Sequence, residues 1–201
     1  MTHQHYVYVL LTDTGTLFTR LIKLFTSAPY NHASLALDEG LRETYSFGRK
    51  YHANPWRGGF VREDIHSGLY SHFPSTRCVV LRLEVTDKQR TALKEAIAQY
   101  KRNKEDYRYN LLGLFGVMVN MNYEPKNAFF CSQFVVETLK KAGIWLWNRP
   151  SGLVTPHCFL LHPELEVVYE GKLSDYPGLE NCRSAAAVQI IRDVQYQEQA
   201  V

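Results

Sequence analysis

Asn127-Ala128-Phe129-Phe130-Cys131-Ser132-Gln133-Phe134-Val135-Val136-Glu137-Thr138-Leu139-Lys140-Lys141-Ala142-Gly143 reads as a helix that begins at a cysteine. Cys131, Val135, Thr138, Leu139 and Ala142 recur at three and four residues, which puts them on one inward stripe. Lys140 and Lys141 fall in the last turn, where cations suit the negative end of the helix dipole, and Gly143 supplies the stop. First-turn N–H groups have no partner inside a helix and lie at the positive end of the dipole. A thiolate there is stabilised and its pKa falls, as a nucleophilic cysteine requires. Taken alone, the stretch fits better a small buried apolar residue, the commonest use of a free cysteine. A base elsewhere in the chain decides between the two.

Outward from this helix, the 201 residues suit one domain over 1–201 with a substantial core, the polar residues after about 178 forming a C-terminal extension. Hydrophobic content of 45% and charged content of 21% are ordinary for a globular chain. A formal charge of +3 without a Lys/Arg tract argues against nucleic acid as a partner. Aromatics at 13% suit a β-rich core with an aromatic-lined cleft. The first residues lack the basic and long apolar regions of a secretory signal, and no run approaches the roughly 18 apolar residues of a spanning helix. A cytoplasmic location with reduced thiols is therefore expected. The four cysteines, Cys78, Cys131, Cys158 and Cys182, are scattered without paired spacing, so neither a metal site nor any other cofactor is expected.

Upstream, 5–12 is an aromatic and β-branched run that reads as a buried strand, and 16–26 has the spacing of a short amphipathic helix. Residues 31–37 and 41–47 flank Asp38-Glu39-Gly40, a three-residue hairpin loop with glycine in the left-handed region. Pairing Leu37 with Leu41 sets Leu35 opposite Glu43, Ala33 opposite Tyr45, Ser34 opposite Thr44 and His32 opposite Ser46. His32 then stands on the polar face at the open end of the hairpin, looking at a row of hydroxyls. A short strand is expected near Phe60-Val61, a longer one at 76–85, and a helix after Thr86, which forms a capping box with Gln89. Its inward residues are Leu93, Ala96, Ile97 and Tyr100. The apolar segment 111–119 is expected to be buried beside the cysteine helix, with peripheral membrane contact as the alternative. A short helix at 157–162, a strand at 167–171 and an undecided helix or strand at 188–194 complete the pattern.

Together the two stretches supply a nucleophile, Cys131, and a general base, His32. The thiol must ionise, the imidazole must take and return its proton, and a third group must fix the ring's tautomer. The segments Asn31-His32-Ala33-Ser34-Leu35-Ala36-Leu37 and Phe130-Cys131-Ser132-Gln133-Phe134-Val135 resemble the permuted branch of the NlpC-type papain-like superfamily of cysteine peptidases and amidases. That branch includes YiiX-like bacterial proteins and lecithin retinol acyltransferase, and the likeness spans roughly 6–176. The resemblance implies an α+β papain-like fold, with an antiparallel sheet or half-barrel against helices and the nucleophile at a helix N-terminus. It implies a thiol hydrolase or acyltransferase acting on an amide or ester, a cell-wall-type peptide or a lipid-like acyl substrate, through an acyl-cysteine. The third residue of such families falls at Ser46, where His, Glu or Gln is common; Glu43 is the nearest carboxylate and the alternative. A catalytically inactive ligand-binding module on the same fold is the competing reading. The remaining histidines, His3, His5, His52, His66, His72, His157 and His162, are expected to be exposed or structural.

Overall fold

The computed structural model describes residues 4–14, 29–49, 58–65, 69–118 and 120–179. The helix expected at 16–26 and the element expected at 188–194 lie outside these, as do His3, His52, His66 and Cys182. The architecture is mixed α+β. Six antiparallel strands form one sheet in the order β4-β3-β2-β1-β5-β8. Its strands are β1 (His5–Asp13), β2 (His32–Ala36), β3 (Thr44–Arg49), β4 (Gly58–Glu63), β5 (Arg77–Val85) and β8 (Glu166–Lys172). The helices are α1 (Asp87–Arg102), α2 (Leu111–Met118), α3 (Cys131–Lys141) and α4 (Pro156–Leu160), with β6 (Arg108–Tyr109) and β7 (Ala128–Phe129) pairing in parallel before α3.

Strand alternation sends two sets of side chains to opposite faces. Val7, Val9, Leu11, Ala33, Leu35, Tyr45, Phe47, Val79 and Leu81 join the larger core with Leu93, Ile97, Phe134, Val135 and Leu139 from α1 and α3. Tyr8, Leu10, Ala36, Cys78 and Val80 join a smaller core closed by Ile65, Tyr70, Leu173, Tyr176 and Leu179. The face expected to be merely polar is thus roofed by the 3-10 turn Leu69–His72 and by the chain around Leu173–Asp175. Phe47 is the hub of the aromatics, with ring centroids 5.1 Å from Phe134, 5.2 Å from Phe129 and 6.0 Å from Tyr100. These rings fill the β-rich core expected from composition.

Capping follows the sequence closely. Thr86 Oγ1 accepts from the Gln89 N–H at 3.2 Å while the Gln89 side chain accepts from the Thr86 N–H at 2.9 Å. Gly143, at φ +75°, ends α3 with two backbone bonds onto its last turn, Ile144 N–H to the Leu139 carbonyl at 3.0 Å and Gly143 N–H to the Lys140 carbonyl at 2.9 Å.

The hairpin departs from expectation. β2 and β3 pair Leu35 with Tyr45 and Ala36 with Thr44, two residues away from the expected register. The Asp38 carboxylate takes the N–H groups of Arg42 (3.2 Å) and Glu43 (2.8 Å), and Leu41, not Gly40, occupies the left-handed region at φ 54°. This side-chain clamp lengthens the loop beyond a three-residue turn. A slip of two preserves the faces but moves Ser34 opposite Ser46 and His32 opposite Gly48. The segment at 111–119 also differs: Leu112 is 65% exposed, and Met121 and Tyr123 beside it are exposed too.

Removal of the aromatic hub tests this core. Phe47→Ala is expected to cost about 3–5 kcal/mol, read as a lowered urea midpoint at unchanged m-value.

Candidate active site

The chain reaches Cys131 from β7 through Phe130, whose extended backbone (φ −100°, ψ 173°) is that of an N-cap. The Gln133 side chain reaches back to the Phe130 N–H at 3.4 Å and also accepts from Asn110 Nδ2 at 3.4 Å. Asn110 in turn caps α2 by accepting from the Gly113 N–H (2.8 Å) and donates to the Tyr123 carbonyl (2.8 Å). Ser132 Oγ donates to the Val154 carbonyl at 2.7 Å, tying the helix start to the 3-10 turn Ser151–Leu153. Glu124 closes the far side of that turn, accepting from Ser151 Oγ at 2.8 Å and the Gly152 N–H at 2.6 Å. The helix start is fixed from three directions. α3 is also more central than its stripe implied, because Ser132, Gln133, Phe134 and Val136 are buried as well.

Cys131 and His32 meet. The His32 imidazole and the backbone N–H groups of Ala33 and Ser132 surround the thiol closely enough to lower its pKa. His32 Nε2 lies 2.6 Å from Glu63 Oε1, which leaves Nδ1 as the ring nitrogen for the sulfur. Cys131 is 3% exposed, whereas the His32 side chain is 24% exposed, so the pair is reachable from the imidazole side.

The group behind the histidine is Glu63, neither Ser46 nor Glu43. Ser46 Oγ donates to Glu63 Oε1 at 2.5 Å, one place removed from the ring, and Glu43 Oε1 accepts from Tyr45 OH at 3.1 Å. The physical reason is the register. His32 stands opposite Gly48, where a Cβ would come within 3.9 Å of the ring's Cε1, and the carboxylate arrives from the next strand over. Ser34 Oγ (2.9 Å) and Tyr70 OH (3.0 Å) both donate to Glu63 Oε2, and Thr12 Oγ1 lies 3.4 Å from the Tyr70 hydroxyl. The row of hydroxyls facing His32 therefore exists, and it holds an acid. Alternation in Gly58-Gly59-Phe60-Val61-Arg62-Glu63 was the available signal for that acid: extending the strand beyond Phe60-Val61 puts Val61 and Glu63 on one face.

Burial works against every charge in this cluster, and the partners outweigh it. For His32, burial lowers the pKa, but the Glu63 carboxylate and then the Cys131 bond lift it to about 10. For Glu63, burial raises the pKa, and the His32 charge with the His32, Ser46 and Ser34 bonds brings it below its ordinary value. For Cys131, burial raises the pKa, and the His32 bond and charge with the Ala33 and Ser132 N–H groups bring it down. A thiolate–imidazolium pair backed by a carboxylate is the protonation state this arrangement favours.

Of the other described histidines, His5 Nε2 lies 2.5 Å from Asp87 Oδ1 and His162 Nε2 lies 2.7 Å from the Leu146 carbonyl. Among the described residues no three His, Cys, Asp or Glu side chains are grouped to hold a metal ion. No helix among them is long and apolar enough to cross a membrane. Comparison with protein-family models, with curated proteins and with solved structures returns no match.

The pair has a signature in stability against pH. A folded imidazole that keeps its proton to about 10 stabilises fully below its ordinary value of 6.5, and that contribution is lost as pH rises toward 10. A thiol with a depressed pKa does the opposite, contributing above its ordinary value of 9.0 and losing it as pH falls through the folded pKa. Between 6.5 and 9.0 the two slopes cancel, because the ion pair carries one proton, as do the unfolded thiol and neutral imidazole together. Wild-type stability from urea titrations is expected to be level across that window. Cys131→Ala leaves the Glu63-supported imidazole alone, and its stability is expected to decline there by up to about 1.4 kcal/mol per pH unit. Parallel curves for the two proteins would refute the ion pair.

Proposed function

We propose that the protein is a cysteine-dependent hydrolase or acyltransferase of the permuted papain-like type, working through an acyl-cysteine. One observation carries this reading: a first-turn helical cysteine beside an imidazole whose Nε2 meets a buried carboxylate at 2.6 Å. The Cys131 thiolate attacks the carbonyl carbon of an amide or ester. The resulting oxyanion is met by the Cys131 N–H, a first-turn donor with no partner inside the helix. The His32 imidazolium returns its proton to the departing nitrogen or oxygen, leaving the acyl group on sulfur. Neutral imidazole then takes a proton from water, or from an acceptor alcohol or amine, as that group attacks the thioester and frees the thiolate. Glu63 stays ionised throughout, holding the ring so that one nitrogen faces the sulfur.

Exposed apolar side chains on and after α2, at Leu112, Met121 and Tyr123, support an apolar acyl group over a charged peptide, and Asn110 links the Tyr123 carbonyl to Gln133 in the first turn of α3. Cys78, Cys131 and Cys158 are free thiols, which fits a reducing cytoplasm.

Thiol labelling tests the reading without a known substrate. At about pH 6 an iodoacetamide probe is expected to modify Cys131 well ahead of Cys78 and Cys158, mapped by peptide mass spectrometry. His32→Ala is expected to abolish that preference and to lower turnover of a model thioester or amide by about 10²–10⁴. Labelling of Cys131 no faster than of Cys158 would sink the proposal.

A further inference from the structure

Glu63 receives four donors from three elements: His32 Nε2 from β2's start and Ser46 from β3 on Oε1, then Ser34 from within β2 and Tyr70 from the roofing 3-10 turn on Oε2. An ionised carboxylate has about four lone-pair positions, so this set fills it. The arrangement is more than the tautomer of His32 requires, for which one oxygen suffices. Ser34 and Ser46 are fully buried and Tyr70 is nearly so.

The surplus has a physical reason. Two charges 2.6 Å apart in a water-poor site can cancel by moving one proton, from Nε2 to Oε1, to give a neutral acid and a neutral imidazole. Burial favours that neutral pair, since it works against both charged forms. Hydroxyl donors oppose the transfer, because each spreads the carboxylate's charge and lowers its affinity for the proton. Among the described residues, the titratable groups at this carboxylate are His32 and Tyr70, with Cys131 beyond the imidazole and Cys78 of β5 near the tyrosine.

We infer that Tyr70 and Ser46, with Ser34, are positioning residues that keep the shared proton on His32 instead of Glu63, so that Cys131 retains a cationic partner. This rests on the ion pair of the proposed function and adds the devices that set it. Without them the proton crosses to Oε1, the imidazole becomes neutral and the thiolate loses its counter-charge. Tyr70 touches neither Cys131 nor the ring in this scheme and acts wholly through the carboxylate.

The test is the pH profile of Cys131 alkylation by iodoacetamide in the full-length protein, for wild type, Tyr70→Phe and Ser46→Ala. The two variants alter different elements, and Tyr70→Phe keeps the buried ring. Each is expected to move the acid limb up by about one pH unit, so that alkylation near pH 6 slows several-fold and converges with wild type at alkaline pH. The Tyr70→Phe/Ser46→Ala double variant is expected to show a protonated-carboxyl stretch in the infrared at neutral pH, absent when Glu63→Gln is added. A role confined to packing would move neither readout. Variant profiles that overlay an activated wild type, with no protonated carboxyl, overturn this inference and leave the proposed function standing. A wild type with no acid-shifted limb overturns both.

Discussion

The buried contact between Glu63 and His32 is the constraint around which the site is arranged. An acid 11% exposed cannot stay ionised without compensation, and truncating one partner of such a pair costs about 3–5 kcal/mol through the charge left behind. Other features follow from that need. Ser34 and Ser46 occupy sheet positions where apolar residues would otherwise complete the smaller core, and both are spent on the carboxylate. The roof over this face brings Tyr70 inward with its hydroxyl aimed at the same group. Gly48 leaves the His32 ring without a side chain opposite it.

Cys131 is placed by a different set of forces. Apolar burial on most sides of α3 sets the helix against the sheet, with Phe134 and Val135 meeting Phe47 and Leu35 in the larger core. Burial alone tolerates sliding, since many rotations of an apolar helix hide similar area. Directional bonds remove that freedom at the end where it matters. Gln133, Asn110 and Ser132 fix the first turn to its neighbours, and the two backbone bonds at Gly143 fix the last. The sulfur then meets the Ala33 N–H and the His32 ring together, although they lie on a strand almost a hundred residues upstream.

Much of this was legible from residue patterns. Cysteine at a helix start, the glycine stop, the Thr86–Gln89 box and the faces of β1, β2 and β5 all follow from local periodicity, and the structure has them. His32 and Cys131 are in contact, and the hydroxyls opposite His32 are present. Four features were not legible, three of them local. The loop at 38–41 reads as a glycine turn, but the Asp38 carboxylate competes for the backbone and gives the left-handed position to Leu41. The aromatics give no sign of whether they line a cleft or fill a core. The apolar run at 111–119 reads as buried, yet one side of α2 faces outward at Leu112.

Glu63 was hidden for a more general reason. Alternation fixes the face on which a strand residue lies and leaves open which neighbour it meets, because any slip by an even number preserves the pattern. The hairpin shows this: a two-residue slip keeps His32 and the serines on one face while changing every partner, so arguments about faces survive and arguments about pairs do not. A group two strands from the histidine depends on two registers in succession, β2 with β3 and β3 with β4, and neither is fixed by composition. What does constrain it is electrostatic. An imidazole held among buried hydroxyls has no reason to be charged unless an anion lies within hydrogen-bond reach. Once His32 is assigned as a base on a buried face, an acid on an adjoining strand of matching parity becomes a requirement, and the alternation that places Val61 beside Ser46 puts Glu63 on that face.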